Sequence, residues 1–205
     1  MRRFLLGLLL VATTLAAATR PPTLLVWGDS LAAGYGLDQG QGWVSLLAKR
    51  LQKQGPAFAV VNGSVSGETT AGGLARLPAA LERWHPAVVL IELGGNDGLR
   101  GLSLTAMRDN LRAMIDGCRA AGAEPALMAM RIPTNYGPAY SQAFAESFTQ
   151  VAHAEQVRLI PFFLAAIAAD RSAFQPDGIH PNAAAQPKLL EALWPTLKPV
   201  LHAVR

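Results

Sequence analysis

The chain has 205 residues, 51% of them hydrophobic and 16% charged, enough for one domain with a packed core and unlike a disordered or disulfide-stapled chain. Its formal charge of +4 arises from 18 basic and 14 acidic residues, and no aromatic-interleaved basic stripe offers a nucleic-acid footprint. A single cysteine, Cys118, excludes an intramolecular disulfide.

In chain order, MRRFLLGLLLVATTLAAATR comes first: Arg2 and Arg3, an apolar run from Phe4 to about Leu15, then Ala16, Ala17 and Ala18. This is the pattern of a secretory signal peptide, with cleavage expected after Ala18 and a single mature domain over 19–205. The run is shorter than the ~20 apolar residues that a membrane span needs, and Thr13 and Thr14 interrupt it. With no cysteine near position 18 for a lipoprotein anchor, no stable membrane anchor is expected after cleavage. The mature chain keeps 16 basic against 14 acidic residues and is nearly neutral. A periplasmic or secreted monomer is the expectation.

Short apolar runs then alternate with longer amphipathic ones. The first strand, Leu24–Trp27, ends in Gly28, with Ser30 two residues on. A helix over 42–54 carries Lys49, Arg50 and Lys53 on one face, as a solvated surface does. A strand at Phe58–Val61 leads into NGSVSGETTAGG and a helix over 69–83; a strand at Val88–Leu93 leads into ELGGNDGLR and a helix over 103–121. In that helix Leu104, Met107, Leu111, Met114, Ile115 and Cys118 recur at helical spacing, which makes Cys118 a buried small hydrophobe. A strand at Ala126–Met130, the segment RIPTNYGPAY, a helix over 140–156 and a strand at Arg158–Pro161 follow. The last helix, 183–201, is expected to break or bend at Pro187 and Pro195. Strand and helix in repeated alternation predict an α/β fold with a parallel sheet covered on both faces.

Ligands of such sheets bind outside the carboxyl ends of the strands. Every polar, glycine-rich segment falls on that edge: Ser30 after the first strand, Gly67 after the second, Asn96 after the third, and Asp177 and His180 in PDGIHPN after the fifth. The set suits acyl transfer. A serine hydroxyl needs a base, for which His180 is the candidate; Asp177, three residues earlier, accepts from the other ring nitrogen and holds the tautomer. The backbone N–H groups of Ser30 and Gly67 and the side-chain amide of Asn96 are the donors for an oxyanion. Glycine at 67 permits a backbone geometry that turns its N–H toward the cavity.

GDSL at 28–31, SGETTAGG, GGND and DGIHP together resemble the GDSL or SGNH hydrolase family, whose four signature residues map to Ser30, Gly67, Asn96 and His180. Longer stretches, ARLPAALERWHPAVVLIELGGNDGLRG, RIPTNYGPAY and DGIHPNAAAQP, resemble its secreted TesA-type branch of arylesterases, acyl-CoA thioesterases and lysophospholipases. The resemblance, spanning roughly Leu24 to Pro199, implies a flavodoxin-like three-layer sandwich with a five-stranded parallel sheet of order 2-1-3-4-5. It also implies a serine esterase acting on a small-molecule acyl ester or thioester, with no cofactor. Glu68 departs from the aspartate frequent in relatives, so the adjoining loop is expected to differ in shape.

Other readings compete. Residues 28–32 also read G-x-S-x-A, near the nucleophile elbow of α/β-hydrolases, but that elbow normally follows several strands. Gly34-x-Gly36 is not completed as a dinucleotide fingerprint, and Asp177 with His180 are too few ligands for a metal site. His85, His153 and His202 are read as structural or solvated, Asp29 as a turn or packing residue, and Asp97 as a loop-ordering one. RIPTNYGPAY, through Pro133 and Tyr136, either lines an acyl groove or merely connects; Leu74, Leu77 and Leu102 either add apolar wall or pack. A carbohydrate or peptidoglycan deacetylase and a non-catalytic lipid-binding protein are the alternative functions.

Overall fold

In a computed structural model that describes residues 21–204, five apolar runs form strands: β1 (Thr23–Gly28), β2 (Ala59–Asn62), β3 (Val88–Glu92), β4 (Glu124–Met128) and β5 (Arg158–Ile160). The expected signal segment 1–18 and its cleavage point lie outside the described residues. The strands make one parallel sheet in the order β2-β1-β3-β4-β5. Strand β3 is central and buried at every position, which is why it reads as a continuous apolar run rather than an alternating one.

Seven α-helices are described: α1 (Ser30–Ala33), α2 (Trp43–Gln54), α3 (Thr70–Trp84), α4 (Gly95–Leu99), α5 (Leu104–Ala120), α6 (Pro138–Ala154) and α7 (Gln186–Ala203). Alternate strand residues sort the core into two halves. Leu24, Val26 and Leu90 join Leu47 and Leu51 of α2 and Leu189, Leu193 and Leu197 of α7. Leu25, Trp27, Val89 and Ile91 join Leu77 of α3, the Met107–Cys118 face of α5, and Phe144 and Phe148 of α6. The result is a three-layer α/β sandwich with the flavodoxin-like strand order. Each fully buried large side chain contributes about 1.5–3 kcal/mol, so these two clusters, more than helix propensity, hold the layers. Cys118 is buried among them, and burial pushes its thiol up to about 12, so it behaves as an inert hydrophobe.

The last helix corrects one expectation. Pro187 falls in the first turn of α7, where a missing N–H costs nothing, and the helix runs on unbroken through Pro195 and Pro199. These two are four residues apart and both are exposed. The carbonyl groups they deprive of a donor therefore face water, while Leu193, Leu197, Val200 and Leu201 keep the opposite face packed.

Candidate active site

Ser30 opens α1 directly after β1, and the short helix is fastened from several sides. Asp29 caps it, its Oδ1 accepting from the Leu31 N–H at 3.0 Å. Trp43 donates to the Leu31 carbonyl at 3.0 Å, and Asn62, at the end of β2, donates to the Ala32 carbonyl at 2.8 Å. A helix of four residues cannot hold itself together. Its position, and that of the Ser30 hydroxyl, comes from these neighbours.

Asp177 and His180 lie between β5 and α7 on a loop closed by its own backbone. The Gln175 N–H donates to the His180 carbonyl at 2.8 Å, and Phe174 bridges Pro181. The spacing of three residues has a local cause. Asp177 Oδ1 accepts from the N–H groups of Ile179 and His180 at 2.9 and 3.0 Å, an Asx-type turn that folds the chain back on the carboxylate. Oδ2 then meets His180 Nδ1 at 2.7 Å, and His180 Nε2 lies 2.8 Å from Ser30 Oγ. Burial works against the Asp177 charge, but the backbone and ring hydrogen bonds from His180 and the N–H of Ile179 outweigh it and lower its pKa to about 2. A carboxylate held charged at Nδ1 leaves Nε2 free to take a proton from Ser30.

Gly67 follows β2 with φ +80°, a backbone setting that glycine adopts without strain, and its carbonyl accepts from Arg100 Nη2 at 2.8 Å. Among the described residues neither the Gly67 N–H nor the Ser30 N–H has a protein acceptor. Asn96 stands on α4 after β3, its Nδ2 donating to Asp29 Oδ2 at 3.1 Å. One amide hydrogen is thereby fixed and the second remains for a ligand. The three groups border the same cleft as Ser30 and His180, a cavity of about 1600 Å³.

Beside Ser30 lies a pair of buried acids, Asp29 and Glu92. Glu92, at the end of β3, accepts the Asp29 N–H at 3.2 Å on Oε2 and leaves Oε1 without a partner. Burial first, and the Asp29 charge second, push its carboxyl well above the usual range. Asp29 is also raised by burial, to about 6, against the opposing pull of the Leu31 N–H, His180 and the Asn96 amide. Asp97 accepts from the backbone N–H and the hydroxyl of Thr70 at 2.8 and 2.6 Å, tying α4 to the start of α3.

The remaining sequence expectations divide. Pro133 borders the cleft. Leu74, Leu77, Leu102 and Tyr136 do not. Leu77 is buried in the core and Leu74 packs partly against it, because both fall on the inward face of α3. Leu102 is exposed outside the cleft; Tyr136 turns its hydroxyl onto the Leu99 carbonyl at 2.9 Å. His85, His153 and His202 are exposed. Glu68 pairs with Arg76 at 2.6 Å, over a glycine at 72 whose Cβ would lie 1.9 Å from Glu68 Oε1. Sequence reasoning assigned no role to Tyr35, whose ring centroid lies 4.5 Å from that of His180. It also passed over the apolar wall of Met130, Phe162 and Leu164, while Ile132 beside them belongs to the RIPTNYGPAY segment it did offer as groove lining. Tyr35 carried a faint signal, an aromatic among the small residues of LAAGYG just after the serine.

Residues 26–186 match the model of the GDSL-like lipase/acylhydrolase family. The chain is 51% identical to the esterase TesA of Pseudomonas aeruginosa, across 98% of this chain and 100% of that protein. It is 43% identical to thioesterase 1/protease 1/lysophospholipase L1 of Escherichia coli K12, across 95% of this chain and 92% of that one. Among solved structures, the psychrotrophic esterase EstA of a Pseudoalteromonas species, inhibited by monoethylphosphonate, superposes with a TM-score of 0.85. It shares 44% identity, and the match covers 88% of this chain and 98% of that one.

Proposed function

The chain belongs to the GDSL-like lipase/acylhydrolase family, and on that footing we propose that it is a serine esterase that hydrolyses carboxylic esters and thioesters through an acyl-enzyme. One observation carries the reading: Ser30 Oγ, both ring nitrogens of His180 and Asp177 Oδ2 form a chain of contacts at 2.8 and 2.7 Å at the mouth of the cleft. In this mechanism His180 Nε2 takes the hydroxyl proton as Ser30 Oγ bonds to the acyl carbon. The carbonyl oxygen becomes an oxyanion among the N–H groups of Ser30 and Gly67 and the free amide hydrogen of Asn96. Its collapse breaks the bond to the leaving group, which receives the proton from the imidazolium. Water, deprotonated by the same nitrogen, then attacks the acyl-enzyme, and the acid leaves as Ser30 recovers its proton.

Asp177, held charged by its turn, stabilises the imidazolium in both halves of the reaction. The size of the cleft and its apolar wall of Met130, Ile132, Phe162 and Leu164 favour acyl chains longer than acetyl, hence aryl esters, acyl-CoA and lysophospholipids over a deacetylase substrate. Among the described residues no helix is long and apolar enough to cross a membrane. The 1–18 pattern supports export and a periplasmic or secreted enzyme.

The test is fluorophosphonate labelling followed by peptide mapping, alongside rates on an acyl-length series of p-nitrophenyl esters, acyl-CoA and lysophospholipid. Label on Ser30 with turnover extending to medium chains is expected. No label sinks the enzyme reading and favours a binding protein; turnover of acetyl esters alone favours the deacetylase.

A further inference from the structure

Tyr35 stands where the two halves of the proposed triad meet, and both its backbone and its ring take part. Ser30 and His180 come from segments 150 residues apart. The Tyr35 N–H donates to the Ser30 carbonyl at 3.1 Å, so the residue hangs from the peptide of the nucleophile itself. Its own carbonyl accepts from Gln175 Nε2 at 2.8 Å. Gln175 belongs to the His180 loop: its N–H donates to the His180 carbonyl at 2.8 Å, and the same Nε2 reaches the Pro181 carbonyl at 3.2 Å. Glycine at 36 leaves room for this side chain, since a Cβ there would lie 2.1 Å from Gln175 Oε1.

The ring completes the link. Its centroid lies 4.5 Å from that of the imidazole, with the two planes 40° apart, a packed and tilted aromatic pair. Asp177 Oδ2 and Ser30 Oγ meet His180 at its two nitrogens. Hydrogen bonds at those nitrogens lie in the ring plane, so they hold the ends of the ring but resist its tilting only weakly. A side chain against the face resists tilting directly. Tyr35 is 52% exposed and belongs to neither core cluster, which separates this contact from the packing that holds the fold.

We propose that Tyr35 is a positioning residue for the hydrolysis. With Gln175 it ties the His180 loop to the Ser30 peptide, and its ring keeps the imidazole from tilting, so that Nε2 stays on Oγ through both proton transfers. It acts through His180 rather than on the substrate. The proposal rests on the esterase reading above. Tyr35 also borders the cleft, and contact with the acyl or leaving group is the rival role that kinetics separate.

The test compares Tyr35→Ala, Tyr35→Phe, Gln175→Ala and the double alanine variant with the parent. Three readouts are taken: steady-state rates on p-nitrophenyl acetate, butyrate and octanoate, the rate at which diisopropyl fluorophosphate labels Ser30, and thermal unfolding. Tyr35→Ala should lower kcat about 10- to 100-fold with KM within about twofold, by a similar factor at every acyl length. Labelling should slow by a similar factor, because its fluoride leaving group is too small to need an aromatic contact. Tyr35→Phe keeps the ring and should stay within about twofold of the parent, and Tyr35→Ala should melt within about 3 °C of it. Gln175→Ala should also lower kcat, and the double variant should lose little more than the worse single one, as residues acting as a unit do. Full kcat in Tyr35→Ala, a loss confined to KM, a loss that grows with acyl length, or labelling at the parent rate overturns the proposal. So does a loss that Tyr35→Phe shares, or one matched by a large fall in melting temperature. A parent protein that neither labels at Ser30 nor turns over ester sinks the esterase reading instead.

Discussion

Ser30 and Asn96 share one buried neighbour, Asp29. Asp29 caps the helix that Ser30 opens and takes one hydrogen of the Asn96 amide, so a single buried carboxyl ties the two side chains of the proposed mechanism to one another. Ser30→Ala should fold normally and lose about three or more orders of magnitude in hydrolysis, because the covalent route disappears; full activity of the purified variant removes the triad. Asn96→Ala separates two roles for the amide. If it serves the oxyanion, kcat falls by about 10²–10³ with KM little changed and the melting temperature kept. If it only orders the loop, stability falls together with rate. Steady-state kinetics on a medium-chain ester beside thermal unfolding tells these apart.

Among the elements, the junction of β1 and β3 leaves the least room. Gly28 pairs with Glu92 in the sheet register, and a Cβ there would lie 2.4 Å from Glu92 Oε2, 2.9 Å from the Ala32 Cβ and 3.1 Å from the Glu92 carbonyl. The glycine two residues before Ser30 is thus required by crowding against a neighbouring strand rather than by its dihedral angles. Gly28→Ala overpacks this point and should cost about 1–3 kcal/mol, with the melting temperature down by about 2–10 °C. It should also slow turnover, since the displaced residues lead directly into Asp29 and Ser30. Calorimetry and kinetics check it; a variant with unchanged melting temperature and rate means that Glu92 and Ala32 move aside freely.

At the scale of the whole molecule, the two buried acids beside Ser30 make stability depend on pH. Both bind a proton more tightly folded than unfolded, so the stability they lend is complete below about pH 4 and is lost as pH rises through their folded values. For Asp29 the window runs from 3.8 to about 6, and Glu92 continues it upward. Asp177 has the opposite sign: its share is present above 3.8 and is lost only as pH falls toward about 2. The melting temperature should therefore decline from pH 4 past pH 6, and Glu92→Gln should flatten the upper part of that decline; a level profile in the parent protein contradicts the buried pair. Export has its own readout. Protein recovered from a bacterial host should begin at or near Thr19 by intact mass, and an uncleaved form in the membrane fraction refutes cleavage after Ala18.

What the sequence determined by itself was whatever depends on short-range order. Strand and helix alternation fixed the α/β class and the five strands, since burial on both faces writes itself as apolar runs. The motif order put Ser30, Gly67, Asn96, Asp177 and His180 on one edge, since loops after parallel strands share it. The Asp177 turn is local enough that its spacing alone pointed to the pairing with His180. Tertiary structure decided everything that rests on which face a side chain takes or which distant element approaches it. Leu77 and Leu74 turned inward because α3 packs on the sheet, and Pro195 stayed within α7 because the opposite face of that helix is buried. Glu92 came to hold the Asp29 N–H only because β3 lies beside β1, a contact between residues 63 apart in the chain that no local pattern encodes.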